Sequence, residues 1–166
     1  MNHSKITNMF DKSLAGKCFN AILMFLVSTL FFSCSGTRTI TDEDLLIELQ
    51  RTACYGFCPV YTVKIDKNGK GLFEGVENVE KIGRFSFSLK KDELAELENT
   101  FLRIDFYQLR NIYDGLVSDL PTTYITYIRD GRRKKIMDYY GAPATLRSLE
   151  NRIETLVLSK KMKKIK

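Results

Sequence analysis

Two cysteines, four positions apart, are the residues of this chain with the most distinctive chemistry. Cys54 and Cys58 lie in the run Cys54-Tyr55-Gly56-Phe57-Cys58-Pro59. Two thiols can form a disulfide, exchange electrons with another thiol, or bind a soft metal ion. A disulfide needs Cα atoms within about 7 Å, whereas four extended residues span about 13 Å. The chain must therefore bend back between the cysteines, and Gly56 permits such a bend.

The sequence favours a structural disulfide over the two other interpretations. Nearby cysteines usually pair in exported proteins, and the leader described below indicates export. The Cys-x-x-x-Cys-Pro pattern is similar to the copper-chaperone motif of the Sco family, but that motif precedes a helix and uses a histidine. Here a strand is predicted next, and the only histidine is His3, in the leader. Structural zinc needs four ligands, whereas the mature domain offers only two, because Cys34 is expected to carry a lipid. We therefore expect no metal and no cofactor. A thiol-redox or Cu(I)-handling site at Cys54 and Cys58 is the alternative.

Few other residues offer catalytic chemistry. Asp114 and Asp119 could act as general acid and base or bind Ca²⁺, but Asp-Gly and Asp-Leu-Pro sequences are also typical of turns. Eight tyrosines could form a binding surface or pack within strands. Beyond the leader the chain has no histidine, and it contains no tryptophan, no nucleotide-binding glycine loop and no G-x-S-x-G elbow. We expect a protein that is not an enzyme.

The hydrophobic periodicity predicts one α+β domain over residues 45–159, in the order β-β-β-β-α-β-β-α. Turn signals at Asp66–Gly69 and Asp130–Gly131 favour a mainly antiparallel sheet with two helices packed on it. Segment 105–120 is an apolar loop, partly a short helix, that either covers the core or has a function. The predicted strands are 45–52, 60–65, 70–76, 81–89, 123–129 and 134–140, and the predicted helices are 91–102 and one with Pro143 in its first turn.

The second helix has a predicted apolar stripe and a polar outer face. Leucine and isoleucine side chains at 146, 149, 153 and 156 form the stripe. The residues predicted to lie outside it are Arg147, Glu150, Arg152 and Glu154.

The first 33 residues have the order of a bacterial lipoprotein signal peptide. Lysines precede an apolar run over residues 21–32, and the small residue Ser33 precedes Cys34. This run of twelve residues is too short for a helix that spans a bilayer, which needs about twenty. We expect a lipid on Cys34, a tether over residues 34–44, and attachment to a bacterial membrane in the cell envelope, facing the periplasm. Plain secretion and an uncleaved anchor are the alternatives.

The basic character of the chain is confined to its ends. The sequence pI is about 9.1, but the leader holds three lysines and the tail, residues 160–166, holds five. The remainder has 18 basic residues against 19 acidic ones. We therefore expect no nucleic-acid binding and a solvated, frayed tail, with contact to anionic lipid as the alternative.

The cysteine run resembles an uncharacterised family of small envelope lipoproteins from Bacteroidetes-type bacteria, a domain of unknown function with a CYGxCPxY signature. The similarity covers about residues 45–158 and continues in the runs 119–123 and 140–143. The resemblance implies membership of this family and a location in the cell envelope, and it implies no activity. The positions that match are Cys54, Gly56, Cys58, Pro59, Tyr61, Asp119 and Pro121.

The preferred hypothesis is a lipid-anchored module that binds or inhibits a protein or glycan partner in the envelope. Its contact surface would be the Cys54–Cys58 turn and the loop from 105 to 121. The thiol-redox or Cu(I) protein is the alternative, and a purely structural subunit is the third hypothesis. The predicted surface residues are Tyr55, Gly56, Phe57, Pro59, Tyr61, Asp114, Asp119 and Pro121.

Overall fold

Strands with alternating buried side chains and two amphipathic helices make up the structure, a computed structural model that describes residues 39–165. The predicted α+β class and the mainly antiparallel sheet are confirmed. The elements are β1 (Leu45–Arg51), β2 (Val60–Asp66), β3 (Lys70–Glu77), β4 (Gly83–Ser88), α1 (Lys91–Arg103), a 3₁₀ turn (Phe106–Gln108), β5 (Ile112–Tyr113), β6 (Thr123–Arg129), β7 (Arg132–Asp138), α2 (Ala144–Leu158) and β8 (Lys163–Lys164).

The leader and most of the tether cannot be compared with this fold. The signal peptide 1–33, the lipidation site Cys34, tether residues 35–38 and the terminal Lys166 lie outside the described residues. Within residues 39–165, no helix is long and apolar enough to cross a membrane.

The eight strands form one sheet in the order β5-β7-β6-β1-β2-β3-β4-β8. All neighbours are antiparallel except β5 and β7. Two tight turns set the register where the sequence predicts them. Gly69 and Gly131 adopt left-handed φ angles of 77° and 73°, a conformation that suits glycine in hairpin turns. Asp66 Oδ1 also accepts hydrogen bonds from the backbone N–H groups of Asn68 and Lys70, each at 2.8 Å.

Both helices pack on the same face of the sheet. On this face Leu49 lies between Val63 and Ile125, and all three are fully buried. Phe101 of α1 stacks on Tyr127 of β6 with ring centroids 4.1 Å apart. The opposite face carries mostly polar side chains, including Glu48, Gln50, Thr62, Lys64 and Glu74.

Two glycines of β3 allow close packing on the helix-covered face. A Cβ at Gly71 would lie 2.1 Å from the Phe87 ring, and a Cβ at Gly75 would lie 1.9 Å from the Lys81 carbonyl oxygen. Both distances are far inside van der Waals contact, so any side chain here would displace its neighbours.

The structure differs from the prediction at several boundaries. β4 begins at Gly83 rather than 81, β7 spans Arg132–Asp138 rather than 134–140, and Pro143 is the N-cap of α2 rather than part of its first turn. The two-residue strands β5 and β8 are not predicted, because two residues have no periodicity to detect.

The expectation of a frayed tail is wrong for most of its length. Lys163 and Lys164 pair with Ser86 and Phe85 of β4, and Lys160 forms an ion pair with Glu93 of α1. The exposed edge of β4 offers unpaired backbone groups, and the tail satisfies them.

Candidate functional site

The loop between β1 and β2 is closed by the cysteine pair and exposes two aromatic rings. Cys54 and Cys58 are joined as a disulfide with Cα atoms 5.7 Å apart, inside the range that a disulfide requires. Tyr55 is 92% exposed and Phe57 is 94% exposed. Gly56 does not have a left-handed φ, and a Cβ there would meet only Cys54 Sγ, at 3.9 Å. The disulfide bends this loop without needing glycine at its centre.

A second loop, residues 114–122, lies beside the disulfide loop. The backbone N–H of Thr52 donates to the Thr122 carbonyl oxygen at 3.0 Å, and the N–H of Thr122 donates to Thr52 Oγ1 at 3.0 Å. Leu116 on this loop is fully exposed. We name Tyr55, Phe57 and Leu116 the loop surface. It combines the three most exposed apolar side chains of the two loops at one end of the sheet.

The two predicted acids in this second loop have turn-forming roles. Asp114 Oδ1 accepts a hydrogen bond from the backbone N–H of Gly115 at 2.8 Å, and Asp119 has a left-handed φ of 69°. Both carboxylates are exposed. The structure thus places Asp114 and Asp119 where the turn interpretation expects them. Within residues 39–165, no group of three or more histidine, cysteine or acidic side chains could hold a metal ion.

The structure corrects three parts of the predicted surface. Tyr61 is only 2% exposed, because it points to the helix-covered face and stacks on Phe73. Pro59 and Pro121 are partly buried rather than displayed. Residues 105–110 do not join the loop surface: Lys134 Nζ donates to the carbonyl oxygen of Tyr107, near the opposite end of β7. The predicted long loop is therefore two separate segments divided by β5.

Below the two loops, a row of polar side chains ends the hydrophobic core. Cross-strand pairing places Tyr61, Arg51, Thr123 and Asp138 side by side on β2, β1, β6 and β7. Arg51 donates to Tyr61 Oη at 3.0 Å and to Thr123 Oγ1 at 3.3 Å. We name these four residues the polar row. The row immediately deeper in the sheet is entirely apolar, so the polar row marks the boundary of the core.

Helix α2 covers the polar row with polar residues of its own. Arg51 Nη2 donates to Asn151 Oδ1 at 3.0 Å and forms an ion pair with Glu154 at 3.1 Å. Glu150 is 2% exposed, and its Oε1 atom has no hydrogen-bond partner in the described part of the chain. Glu150 was predicted to lie on the outer face, and that prediction is wrong.

The burial of Glu150 has a geometric cause that the sequence contains. Leu146, Glu150, Ile153 and Val157 are spaced by four, three and four positions, and all are buried. This spacing defines one face of a helix, so the polar residue at 150 interrupts a stripe that is otherwise apolar. The helical spacing of residues 146, 150, 153 and 157 is therefore a signal in the sequence that predicts burial of Glu150. The partners of Arg51 lie up to 103 residues away in sequence and give no local signal.

A cavity of about 310 Å³ opens between the polar row and α2. Arg51, Thr123 and Asp138 line it from the sheet, and Glu150 and Arg147 line it from the helix. Its remaining walls come from the loop residues Leu120, Pro121, Tyr139 and Tyr140 and from Asn151 of α2.

The carboxyl groups in this cavity hold protons more tightly than exposed acids do. Burial, with the nearby charge of Asp138, raises the pKa of Glu150 to about 8, against the opposing effect of Arg51 and Arg147. Burial also raises the pKa of Asp138, again opposed by the two arginines. Glu150 is therefore protonated at neutral pH and can both donate and accept a hydrogen bond.

The fold and this end of the sheet define a class: an α+β domain with a disulfide-closed aromatic loop above a polar cavity. The chain belongs to the family described as a domain of unknown function (DUF6438), whose model matches residues 45–157. The predicted membership of an uncharacterised family is thereby confirmed, and its boundaries agree with the predicted ones to a single residue. No curated protein matches the chain. The CYGxCPxY signature and the bacterial group stay predictions.

Proposed function

We propose that this protein is a lipid-anchored module of the bacterial cell envelope whose loop surface binds a protein partner. One observation carries the proposal: the disulfide loop displays Tyr55 and Phe57 almost completely to solvent. Exposed aromatic rings on a rigid support are the groups that most often dominate protein interfaces. The disulfide and the contact with Thr122 restrict the loop, so less conformational entropy is lost on binding.

The connectivity of the chain supports this assignment. The chain enters the domain at Leu45, and the loop surface lies beyond Arg51, at the other end of β1. Seven strand residues separate these ends by roughly 20 Å. A lipid on Cys34 would hold the domain by its Leu45 end, which leaves the loop surface accessible to a partner in the periplasm.

A photo-crosslinking experiment tests the binding surface. The full chain is expressed in bacteria with p-benzoylphenylalanine at Tyr55 or Phe57, and in matched controls at Leu102 or Leu158, which are exposed apolar residues on the two helices. We expect the same discrete protein adduct from both loop positions and none from the helix positions. Adducts at the helix positions alone, or at no position, would refute the proposal.

The lipid anchor has a separate test. In the same bacteria, Cys34→Ala should move the protein from the membrane fraction to the soluble fraction or block cleavage of the leader. The mass of the mature N-terminus should include acyl chains in the unchanged protein only. A mature N-terminus that carries no acyl chains in the unchanged protein would exclude lipidation as the anchor.

The thiol-redox or Cu(I) function is kept as a second candidate because both cysteines are partly exposed. The Gly56 N–H also lies 3.3 Å from Cys54 Sγ, where it could stabilise a thiolate. Alkylation of the soluble form, residues 36–166, isolated from an oxidising compartment and not reduced, distinguishes the two functions. An intact mass without adducts indicates a persistent disulfide and favours partner binding. Two adducts indicate a free dithiol and favour redox or Cu(I) chemistry.

A further inference from the structure

The cavity between the polar row and α2 has no role in the proposed function. It lies beside the loop surface but is lined by different side chains. The polar or charged ones, apart from two tyrosines, are Arg51, Thr123, Asp138, Arg147, Glu150 and Asn151. Most of them come from strands and a helix rather than from loops. Such elements hold side chains in fixed positions, as a small-molecule site requires.

Glu150 is the observation that points to a ligand. Its side chain lines the cavity, is 98% removed from solvent, and leaves Oε1 without a hydrogen-bond partner among residues 39–165. Unpartnered buried polar atoms are uncommon in native proteins, because each one is destabilising. A ligand hydroxyl in the cavity would supply the missing partner.

The charges around the cavity balance, which selects against a charged ligand. Arg51 is paired with Glu154 at 3.1 Å, and Arg147 and Asp138 line the cavity together, near enough for their charges to interact. Glu150 is protonated at neutral pH, since its pKa is about 8. The site therefore presents two positive and two negative groups and one neutral acid. A cation or an anion would find both attraction and repulsion there, whereas a neutral polar ligand would find only hydrogen-bonding groups.

The lining offers hydrogen-bond donors, acceptors and apolar surface together. Asp138 accepts, Arg147 donates, and the protonated Glu150 does both. Asn151 uses its oxygen for Arg51, which leaves its amide N–H groups to donate. Tyr139 and Tyr140 add ring surface. Hydroxyl groups need both donors and acceptors, and the C–H faces of a sugar ring pack on aromatic rings.

The size of the cavity limits the ligand. Sites that enclose drug-sized molecules measure about 300–1,000 Å³, and this one measures about 310 Å³. We propose that the cavity binds one ring of a neutral sugar, with Asp138 and Glu150 hydrogen-bonded to its hydroxyl groups and Arg147 and Asn151 donating to its oxygens. The inference does not depend on the loop surface and concerns a separate ligand.

Saturation-transfer NMR tests the proposal with related sugars in three charge states: neutral, cationic and anionic. The full chain is purified in lauryldimethylamine oxide, a detergent without a sugar headgroup. N-acetylglucosamine and glucose are the neutral probes, glucosamine is the cation, and glucuronate is the anion. We expect saturation transfer to at least one neutral probe and none to the charged ones. Transfer to a charged probe, or to no probe, would overturn the proposal.

Two variants of Glu150 separate binding from folding. Glu150→Gln keeps a donor and an acceptor, so affinity for the neutral sugar should stay within about threefold of the unchanged protein. Glu150→Leu removes both and should weaken binding by about tenfold or more, while the protein stays folded because an apolar residue suits this buried position. Glu77→Gln, on an exposed residue of β3, is the control and should bind normally. Equal affinity in Glu150→Leu and the unchanged protein would place the sugar elsewhere and refute the inference.

Discussion

Replacing Glu150 by glutamine should remove a large pH dependence from the stability of this protein. Burial and the charge of Asp138 raise the pKa of Glu150 from 4.5 to about 8 in the folded state, whereas in the unfolded chain it returns to its ordinary value. Between these two pH values the folded protein holds a proton that the unfolded chain has released. The free energy of unfolding therefore falls as pH rises through this window. An amide does not titrate, so the glutamine variant lacks this effect.

The size of the effect follows from the same two pKa values. Each pH unit within the window changes the free energy of unfolding by about 1.4 kcal/mol. From pH 4.5 to 7 the unchanged protein should lose about 3 kcal/mol relative to Glu150→Gln, and by pH 8 about 4 kcal/mol. These are upper bounds, because water in the adjacent cavity can solvate the carboxylate. Asp138, Arg51 and Arg147 lie near Glu150, and their charges act with burial to set its raised pKa.

Urea denaturation at half-unit steps from pH 4.5 to pH 8.5 measures this difference. The two proteins should have nearly equal free energies of unfolding at pH 4.5, and the glutamine variant should become steadily more stable above it. Glu77→Gln controls for the loss of one acidic residue and should give a difference that does not grow with pH. A difference between Glu150→Gln and the unchanged protein that stays constant across the range would show that Glu150 is not buried as a neutral acid.

Three further predictions concern the loop and the core. The double change of Cys54 and Cys58 to serine should lower the free energy of unfolding by about 2 kcal/mol, because the five-residue loop restricts the unfolded chain only modestly; an unchanged urea midpoint under oxidising conditions would mean that no disulfide forms. Gly75→Ala should lower the free energy of unfolding by about 1–3 kcal/mol, since the new Cβ would overlap a carbonyl oxygen. Its control, Gly56→Ala, should lower it by less than about 0.5 kcal/mol, and equal melting temperatures of the two variants would contradict the packing described for β3. Phe101→Ala should lower the free energy of unfolding by about 3–5 kcal/mol, because its buried ring stacks on Tyr127 with centroids 4.1 Å apart. A loss below about 1 kcal/mol by calorimetry would disprove this contact.

Most of the fold could be predicted from local patterns. Six strands, both helices and the two hairpin turns follow from alternation, helical spacing and Asp-Gly or Asn-Gly pairs. Each of these signals concerns residues that are close in sequence, and local propensity and tertiary structure agree there. The prediction failed for β5 and β8, which consist of two residues each and form only because a neighbouring edge is available.

The candidate site could be predicted only in part, for a related reason. The exposed loop with Cys54 and Cys58 lies within one run of sequence, so its residue types were informative. Tyr61 belongs to the same run, but the alternation of β2 directs its side chain into the core. Its predicted place on the binding surface was therefore wrong. Asp138 and Glu150 were missed because their importance depends on each other and on Arg51, and these three residues come from different elements.

The sequence by itself determined which segments form strands, helices and turns, and it placed a disulfide loop between the first two strands. Those properties depend on short-range sterics and on the period of apolar residues, which any reader of the chain can detect. Only the tertiary structure decided that Arg51, Thr123 and Asp138 meet in one row and that Glu150 is buried above them. Burial of a charged group is a property of the surroundings: it depends on which helix face meets the sheet and on how distant strands align.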